Sequence, residues 1–498
     1  MKRIFAFCLA FLMCVSLCSC TGGGDGTETT KEYNVPTPVI NTDVALPFTS
    51  ADAADPFKVK STLNADLMTA IYESLFEPSS DGKGTPLLAS SGEIDGKKAR
   101  VTLKSKIKFS DKTALTSQDV IKSFSLAKNS ERFSGQLHNV ASVTAEDELT
   151  LVFTLNEPSA FALNVLDFPI VSGDSGNYVG TGAYKISYLD GEMYLEANEN
   201  HEGYKKSTLK QIALYDMAGV SSAVYPFKAN EISVYKNDLS SGKYENLSSK
   251  TVSVPTNNLV YAGVNMNWKG SLLSLDYIRH AINIGIDRKT IAASSFLGQC
   301  SATVTPFKKE VYVSDELIPE NGNKERAISV LEENGFLETD GAVRSNGSTS
   351  LKVTVLVCSD NKYKVDAAEA LKKSLEALGF GVTLNKQNKE DYLKSLSEGH
   401  FDIYIGETSL TDDYDFSAFF DKKGALNYGI KEDYFKEYTS FKSGETTVSR
   451  FIEGFYTAVP FVPLFYRSAV LSVNPNLEGV EVSGGIYKNA GNWSFKSE

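Results

Sequence analysis

Residues 351–405 constrain the fold more than any other part of this chain. Residues 351–358 (LKVTVLVC) read as a strand rich in β-branched side chains. Residues 363–378 place Val365, Ala368, Leu371, Leu375 and Leu378 on one helical face, and Gly379 stops the run. Residues 380–385 form a second strand, 389–398 a helix ended by Gly399, and 401–405 a third strand. Strands alternating with helices of this length predict a βαβαβ unit, because parallel neighbours need a crossover connection. Ligands of open parallel sheets bind beyond the carboxyl ends of the strands. The peptide expected there runs Gly406-Glu407-Thr408-Ser409-Leu410-Thr411-Asp412-Asp413-Tyr414-Asp415. Topology alone therefore makes an acidic loop containing Tyr414 a candidate ligand site.

The first part of the chain reads as α+β. Residues 62–76 carry Leu63, Leu67, Ile71 and Leu75 on one helical face. Asp95-Gly96 is a hairpin signal. Thr116-Ser117-Gln118-Asp119 resembles a capping box opening a helix over 120–127. Residues 148–155 alternate as a half-buried strand. Residues 338–350 read as a Gly/Ser/Asn-rich surface loop, and 459–466 (VPFVPLFY) as a buried strand. No internal repeat is present.

The amino terminus predicts export. Lys2 and Arg3 precede the apolar run 4–17, which is too short for a comfortable bilayer span of about 20 residues. Leu17-Cys18-Ser19-Cys20 resembles the lipobox of bacterial lipoproteins. That resemblance implies cleavage before Cys20 and its acylation; two acyl chains give stable anchoring where one is marginal. The alternative is an ordinary signal peptide cut near Ser19. Residues 21–31 (TGGGDGTETTK) hold almost nothing apolar and read as a flexible tether.

Composition excludes several classes. The 498 residues carry a formal charge of −12, and losing Lys2 and Arg3 with the leader takes it to −14, which argues against nucleic acid as a partner. The four histidines, His138, His201, His280 and His400, are scattered, with no pair at a metal-binding spacing. Beyond the leader and Cys20 only Cys300 and Cys358 remain; sequence does not separate a disulfide from two buried thiols. No Gly-x-Ser-x-Gly elbow, His-Glu-x-x-His or phosphate loop is present, so an enzyme is not expected.

Several short elements, in order across about 400 residues, carry a family resemblance. They are Asp55-Pro56, Ile71-Tyr72-Glu73-Ser74-Leu75, Pro86-Leu87-Leu88-Ala89 and Lys108-Phe109-Ser110-Asp111 with Thr116-Ser117-Gln118-Asp119-Val120. Gly180-Thr181-Gly182-Ala183-Tyr184, Arg279-His280-Ala281 with Ile286-Asp287-Arg288, and Pro463-Leu464-Phe465-Tyr466-Arg467 continue the series. In these the chain resembles the extracytoplasmic solute-binding proteins of family 5, the binding proteins of oligopeptide, dipeptide and nickel ABC importers. It departs from the family pattern at Lys112, Ala114, Ala229–Ser233, Glu407 and Phe416, so a divergent specificity is expected.

The resemblance implies an α/β, two-lobed periplasmic-binding-protein fold of the large peptide-binding type, with an α+β first lobe and a hinge-closing cleft. Residues 1–19 would be the lipoprotein signal and 20–33 the tether. Lobe I would hold 34–261 plus 467–498, with an inserted subdomain at about 52–178. Lobe II would hold 262–466, with strands crossing near 261–266 and 464–468. In the family a loop Asp takes the ligand's α-ammonium, which places Asp412 in that role with Asp413 and Tyr414 beside it. Glu407, Tyr261, Asn265, Phe48 and Thr49 are further cleft candidates. Asp119, Tyr184, Arg279 and Asp287 are expected to be structural, with Arg279 and Asp287 as a possible ion pair. The implied function is capture of short peptides and delivery to an ABC permease and its ATPase, by a monomer anchored through Cys20 in a periplasm or on a Gram-positive surface. No cofactor is implied. The alternatives are a non-peptide solute (nickel chelate, haem or oligosaccharide) and a peptide sensor; only two Trp, Trp268 and Trp493, weigh against an oligosaccharide.

Overall fold

The computed structural model describes residues 42–267, 270–311, 320–339, 343–431 and 435–496. The signal, the tether and Cys20 lie outside the described residues. Among the described residues no helix is long and apolar enough to cross a membrane.

The βαβαβ unit forms. Strand Lys352–Cys358 pairs in parallel with both Gly381–Gln387 and Ile403–Ser409. Helices Lys362–Glu376 and Lys389–Glu398 connect them, each opened by an Asn side chain, Asn361 and Asn388, accepting from the first-turn amides. The second helix ends at Gly399, whose φ of 71° suits a residue without a Cβ.

The third strand runs further than 401–405. It spans Ile403–Ser409 because its far edge pairs antiparallel with Thr251–Val264, from Val264 opposite Ile403 to Asn258 opposite Ser409. Glu407 therefore lies inside a strand, and the candidate loop starts only at Leu410, whose amide donates to the Asn257 carbonyl at 3.0 Å.

Two long strands, Thr251–Val264 and Phe461–Val473, lie side by side and antiparallel in the seven-stranded sheet. Their ladder shifts register between Pro255 and Leu259, and again beside Pro463, which has no amide proton to donate. The two halves of each strand enter different cores. Leu259–Val264 and Phe461–Tyr466 belong to one with the βαβαβ unit. Leu471 and Val473 join the other, against which Val252 and Val254 pack. The packing changes core at about 255–259 on the first strand and between Val470 and Leu471 on the second. Val252 and Val254 alternate with Thr251, Ser253 and Pro255, so this half of the strand carries too little apolar signal to be read as core from sequence.

The other core (lobe I) rests on helix Thr62–Ile71, a four-stranded sheet with Ala45–Phe48 at its edge, and the antiparallel sheet Ala89–Asp95, Lys98–Leu103, Thr150–Leu155, Val140–Ala145. The hairpin at Asp95-Gly96 forms, with Gly96 at φ 55°. Helix Ser117–Lys128 opens as expected: the Asp119 carboxylate accepts from the Thr116 amide at 2.9 Å and the Thr116 hydroxyl at 2.8 Å. Asp119→Ala is expected to cost about 1 kcal/mol, read as a lower midpoint in urea with unchanged slope.

The expected Arg279–Asp287 pair does not form. Arg279 is fully buried and donates to the carbonyls of Leu273, Ala458 and Val459, with Asp276 as its ion partner at 2.8 Å. Val459 turns left-handed at the end of helix Val448–Ala458 and so presents carbonyls to this guanidinium. Asp287 caps the next helix through the Thr290 amide. Cys300 and Cys358 are free thiols.

Candidate functional site

The loop after Ile403–Ser409 folds on its own short side chains. Thr411 Oγ1 donates to Asp413 Oδ1 at 2.6 Å and accepts from the Asp415 amide at 3.2 Å. Tyr414 closes the turn at φ 56°, an uncommon conformation for a residue with a side chain. Asp415 caps helix Ser417–Phe420 through the Ser417 amide and hydroxyl, and accepts from Tyr438. Its task is to end the loop. Burial opposes its charge, but the Ser417 bonds and nearby His138 hold its carboxyl below the usual range.

Asp412 is set by a relay from the register break. Lys308 Nζ donates to Asn257 Oδ1 at 2.5 Å, which turns the Asn257 amide so that Nδ2 donates to Asp412 Oδ1 at 2.7 Å. Asp412 Oδ2 has no donor among the described residues and is not enclosed. Burial pushes the Asp412 carboxyl up, with Asn257 and Lys308 only partly compensating. Lys308 is pushed down by the same burial.

Lobe I meets this loop directly. Asn164 Nδ2 donates to the Asp412 carbonyl at 2.9 Å. His138 Nε2 stands 3.9 Å from Asp413 and 3.7 Å from Asp415. Burial raises Asp413, and His138 opposes that rise. Phe161 leaves its own lobe and joins the other core, its ring centroid 5.2 Å from that of Tyr414 and 6.3 Å from that of Phe307. A cavity of about 490 Å3 opens beside the seam, walled by Pro158 and Phe161 from lobe I, Tyr438 and Phe441 from lobe II, and Asp413 and Tyr414 from the loop.

The other candidates separate from this place. Glu407 is buried, with Oε1 on Arg467 Nε at 2.5 Å and Oε2 on Lys364 at 2.8 Å, so both oxygens are taken. Tyr261 is 1% exposed, its hydroxyl on that of Tyr404 at 3.3 Å, against Gly406, which has no Cβ to collide with it. Asn265 is 2% exposed and its amide donates to the Gly399 and Phe401 carbonyls. These three hold the lobe II sheet together. Phe48 and Thr49 line a different depression with Asp52, Asn64 and Asp216, where Thr49 is tied to Asn64. Asn257, Lys308, His138, Phe161 and Asn164 carry no periodic or motif signal in the sequence that would mark them as site residues.

Residues 83–427 match the family model of bacterial extracellular solute-binding proteins, family 5 (middle). A Brucella ovis protein assigned by name as an ABC transporter peptide-binding protein is 25% identical over 329 residues, 59% of each chain. The match thus spans about three fifths of that relative's length. The periplasmic murein peptide-binding protein MppA of Escherichia coli K12 is 22% identical over 392 residues, 70% of this chain and 71% of that one. Among solved structures, an ABC transporter substrate-binding protein from Sinorhizobium meliloti superposes with a TM-score of 0.68 at 18% identity, over 91% of this chain and 100% of that one. The chain belongs to the bacterial extracellular solute-binding proteins of family 5.

Proposed function

We propose that this protein is the binding component of an ABC importer, lipid-anchored through Cys20 outside the cytoplasmic membrane, and that it captures short peptides between its lobes for a permease. The observation that carries the reading is Asp412: one oxygen fixed by a lysine–asparagine relay, the other open, in surroundings that disfavour an unpaired negative charge. A peptide's α-ammonium supplies the missing cation and donors. Such a pair is favourable only with good geometry and further hydrogen bonds, and the relay provides them. The 490 Å3 cavity receives the adjoining residue of the ligand among Pro158, Phe161, Tyr438 and Phe441. Lobe I is taken as 42–255 with the segment after 470, and lobe II as 259–468, with Asn257 at the hinge so that ligand contact and closure share one residue.

The test is a thermal-shift screen of the purified protein against di- to octapeptides, N-acetylated counterparts, sugars, nickel and haem. Ligand at 100 times its Kd stabilises by about 2.7 kcal/mol. Shifts with free-amine peptides that vanish on N-acetylation support the proposal; shifts confined to another solute class overturn the peptide assignment.

The same pairing fixes a pH dependence. Asp412 and Asp413 are raised in the native chain above their ordinary value of 3.8. Between that value and the raised ones the native state holds protons that the unfolded chain releases. In the unliganded protein these groups therefore add stability as pH falls, and that contribution is lost as pH rises through the raised values. An ammonium needs the charged carboxylate, so ligand-induced stabilisation should shrink over the same fall in pH. Melting curves with and without peptide at stepped pH check this; a ligand shift that persists undiminished down to pH 3.8 would contradict the ammonium–carboxylate pairing.

A further inference from the structure

His138 stands on lobe I with its imidazole turned across the seam. Its backbone is pinned, because Asn156 Nδ2 donates to its carbonyl at 3.0 Å. Its ring is oriented as well, with Nδ1 at 3.0 Å from the Gly135 carbonyl. A carbonyl oxygen only accepts, so this bond places a proton on Nδ1. Nε2 is then the atom that faces lobe II, 3.9 Å from Asp413 Oδ2 and 3.7 Å from Asp415 Oδ2. In the neutral ring Nε2 points a lone pair at two carboxylates, and the contact is repulsive. In the imidazolium it carries an N–H and a charge, and the same contact is attractive. Asp413 Oδ2 takes no donor from another described residue, since Thr411 holds the other oxygen.

The charged and titratable groups that share the seam cavity with this ring are Asp413, Tyr414 and Asp415 of the loop, Tyr438 and Lys442 of helix Lys436–Lys442, and Glu157 of lobe I. Glu157 is paired with Lys97 at 3.0 Å, and Lys442 with Asp421 at 3.1 Å. Burial pushes both tyrosine hydroxyls up, so they stay neutral. Asp415 is held low and stays charged. A proton at this contact therefore belongs to the ring or to Asp413, which burial raises. The ring is the one open to water, with 39% of its side chain exposed against 6% for Asp413.

We propose that His138 is a positioning residue for closure: as imidazolium it clips lobe I to the Asp413–Asp415 pair of lobe II, so that closing the cleft takes up a proton. The inference rests on the reading of a cleft that closes between two lobes, and it does not depend on which ligand closes it. Opening withdraws the ring from both carboxylates, so the closed state binds the proton more tightly than the open one. The advantage of the closed state is full where both states are protonated, and it is lost as pH rises through the imidazole range. Asp412, whose charge a ligand ammonium needs, acts in the opposite sense and towards more acid pH.

The experiment follows the closed-to-open ratio of the empty protein by small-angle scattering between about pH 5.5 and about pH 8, the span in which imidazole changes charge. A one-unit difference in proton affinity between two states is a tenfold difference in their ratio. The wild-type ratio should fall about tenfold as pH rises across the span. His138→Gln should be low and flat, and His138→Lys, charged throughout, should stay closed at the upper end. No pH response in the wild type, or the same response in His138→Gln, overturns the inference. Loss of closure by the same factor at every pH in both variants marks a merely structural contact and also overturns it. Should the variants not fold, the wild type decides: salt at about 0.5 M screens charge, so it should open the protein at the acid end and leave it unchanged at the alkaline end. An equal effect at both ends overturns the inference. The peptide reading is scored apart, by calorimetry with trialanine and its N-acetyl form. If closure follows His138 while the free-amine form binds no better than the acetylated one, the peptide reading fails and this inference stands.

Discussion

Asp412→Ala should weaken binding of a free-amine peptide by about 2–5 kcal/mol, the usual cost of truncating one partner of a buried, hydrogen-bonded charge pair. The lower end is already about a thirtyfold rise in Kd. The size follows from what the substitution leaves behind. Asn257 Nδ2 loses its acceptor, Lys308 loses the charge that offsets its burial, and the ligand ammonium enters the seam without a counter-ion. Asp412→Asn should cost less, since its amide oxygen still accepts from Asn257. Calorimetry on both variants with free-amine and N-acetylated peptide separates the contributions: only the free-amine ligand should lose affinity. Equal affinity of wild type and Asp412→Ala for the free-amine peptide would remove Asp412 from the ligand site.

The sequence made some of this visible and hid the rest for physical reasons. The 351–405 unit could be read because each of its elements is a contiguous run with its own period and its own stop, Gly379 or Gly399. The capping box at Thr116 and Asp119 is likewise a local bond between near neighbours. The acidic loop was found by topology, which needs only the order of strands and helices. Nothing local shows that the strand carrying Glu407 continues to Ser409; its pairing with Thr251–Val264 and its ion partners Lys364 and Arg467 come from three distant segments. The burial of Tyr261 and Asn265 is hidden for the same reason: where the two long strands change core follows the register break after Pro255, not any apolar run. The seam is the extreme case. Asn257, Lys308 and His138 come from separate stretches, and they meet the segment that carries Phe161 and Asn164 only when the lobes come together.

Phe161 makes the most direct test of that convergence. It interrupts an otherwise polar or small stretch, Asn156-Glu157-Pro158-Ser159-Ala160, and is nonetheless 5% exposed. Its ring lies among Phe307, Tyr414 and Phe441, all of lobe II, and a side chain on Gly82 would run into it. Truncating a buried Phe to Ala costs about 3–5 kcal/mol when the cavity cannot collapse. Here the loss should fall on closure rather than on folding, because opening the lobes withdraws the ring from lobe II without unfolding either core. Phe161→Ala should therefore shift the closed-to-open ratio by about a hundredfold or more and raise the apparent Kd of a ligand that binds the closed form by up to the same factor. Scattering or a distance probe between the lobes reads the shift, and thermal melting reads the fold. A clear opening with a nearly unchanged melting temperature in the absence of ligand assigns the ring to the latch; a large drop in melting temperature with no change in lobe separation would make Phe161 an ordinary core residue. The gap between affinity loss and stability loss in this variant measures how much of the ligand's binding energy closure consumes, since the ligand must then hold together what the ring no longer does.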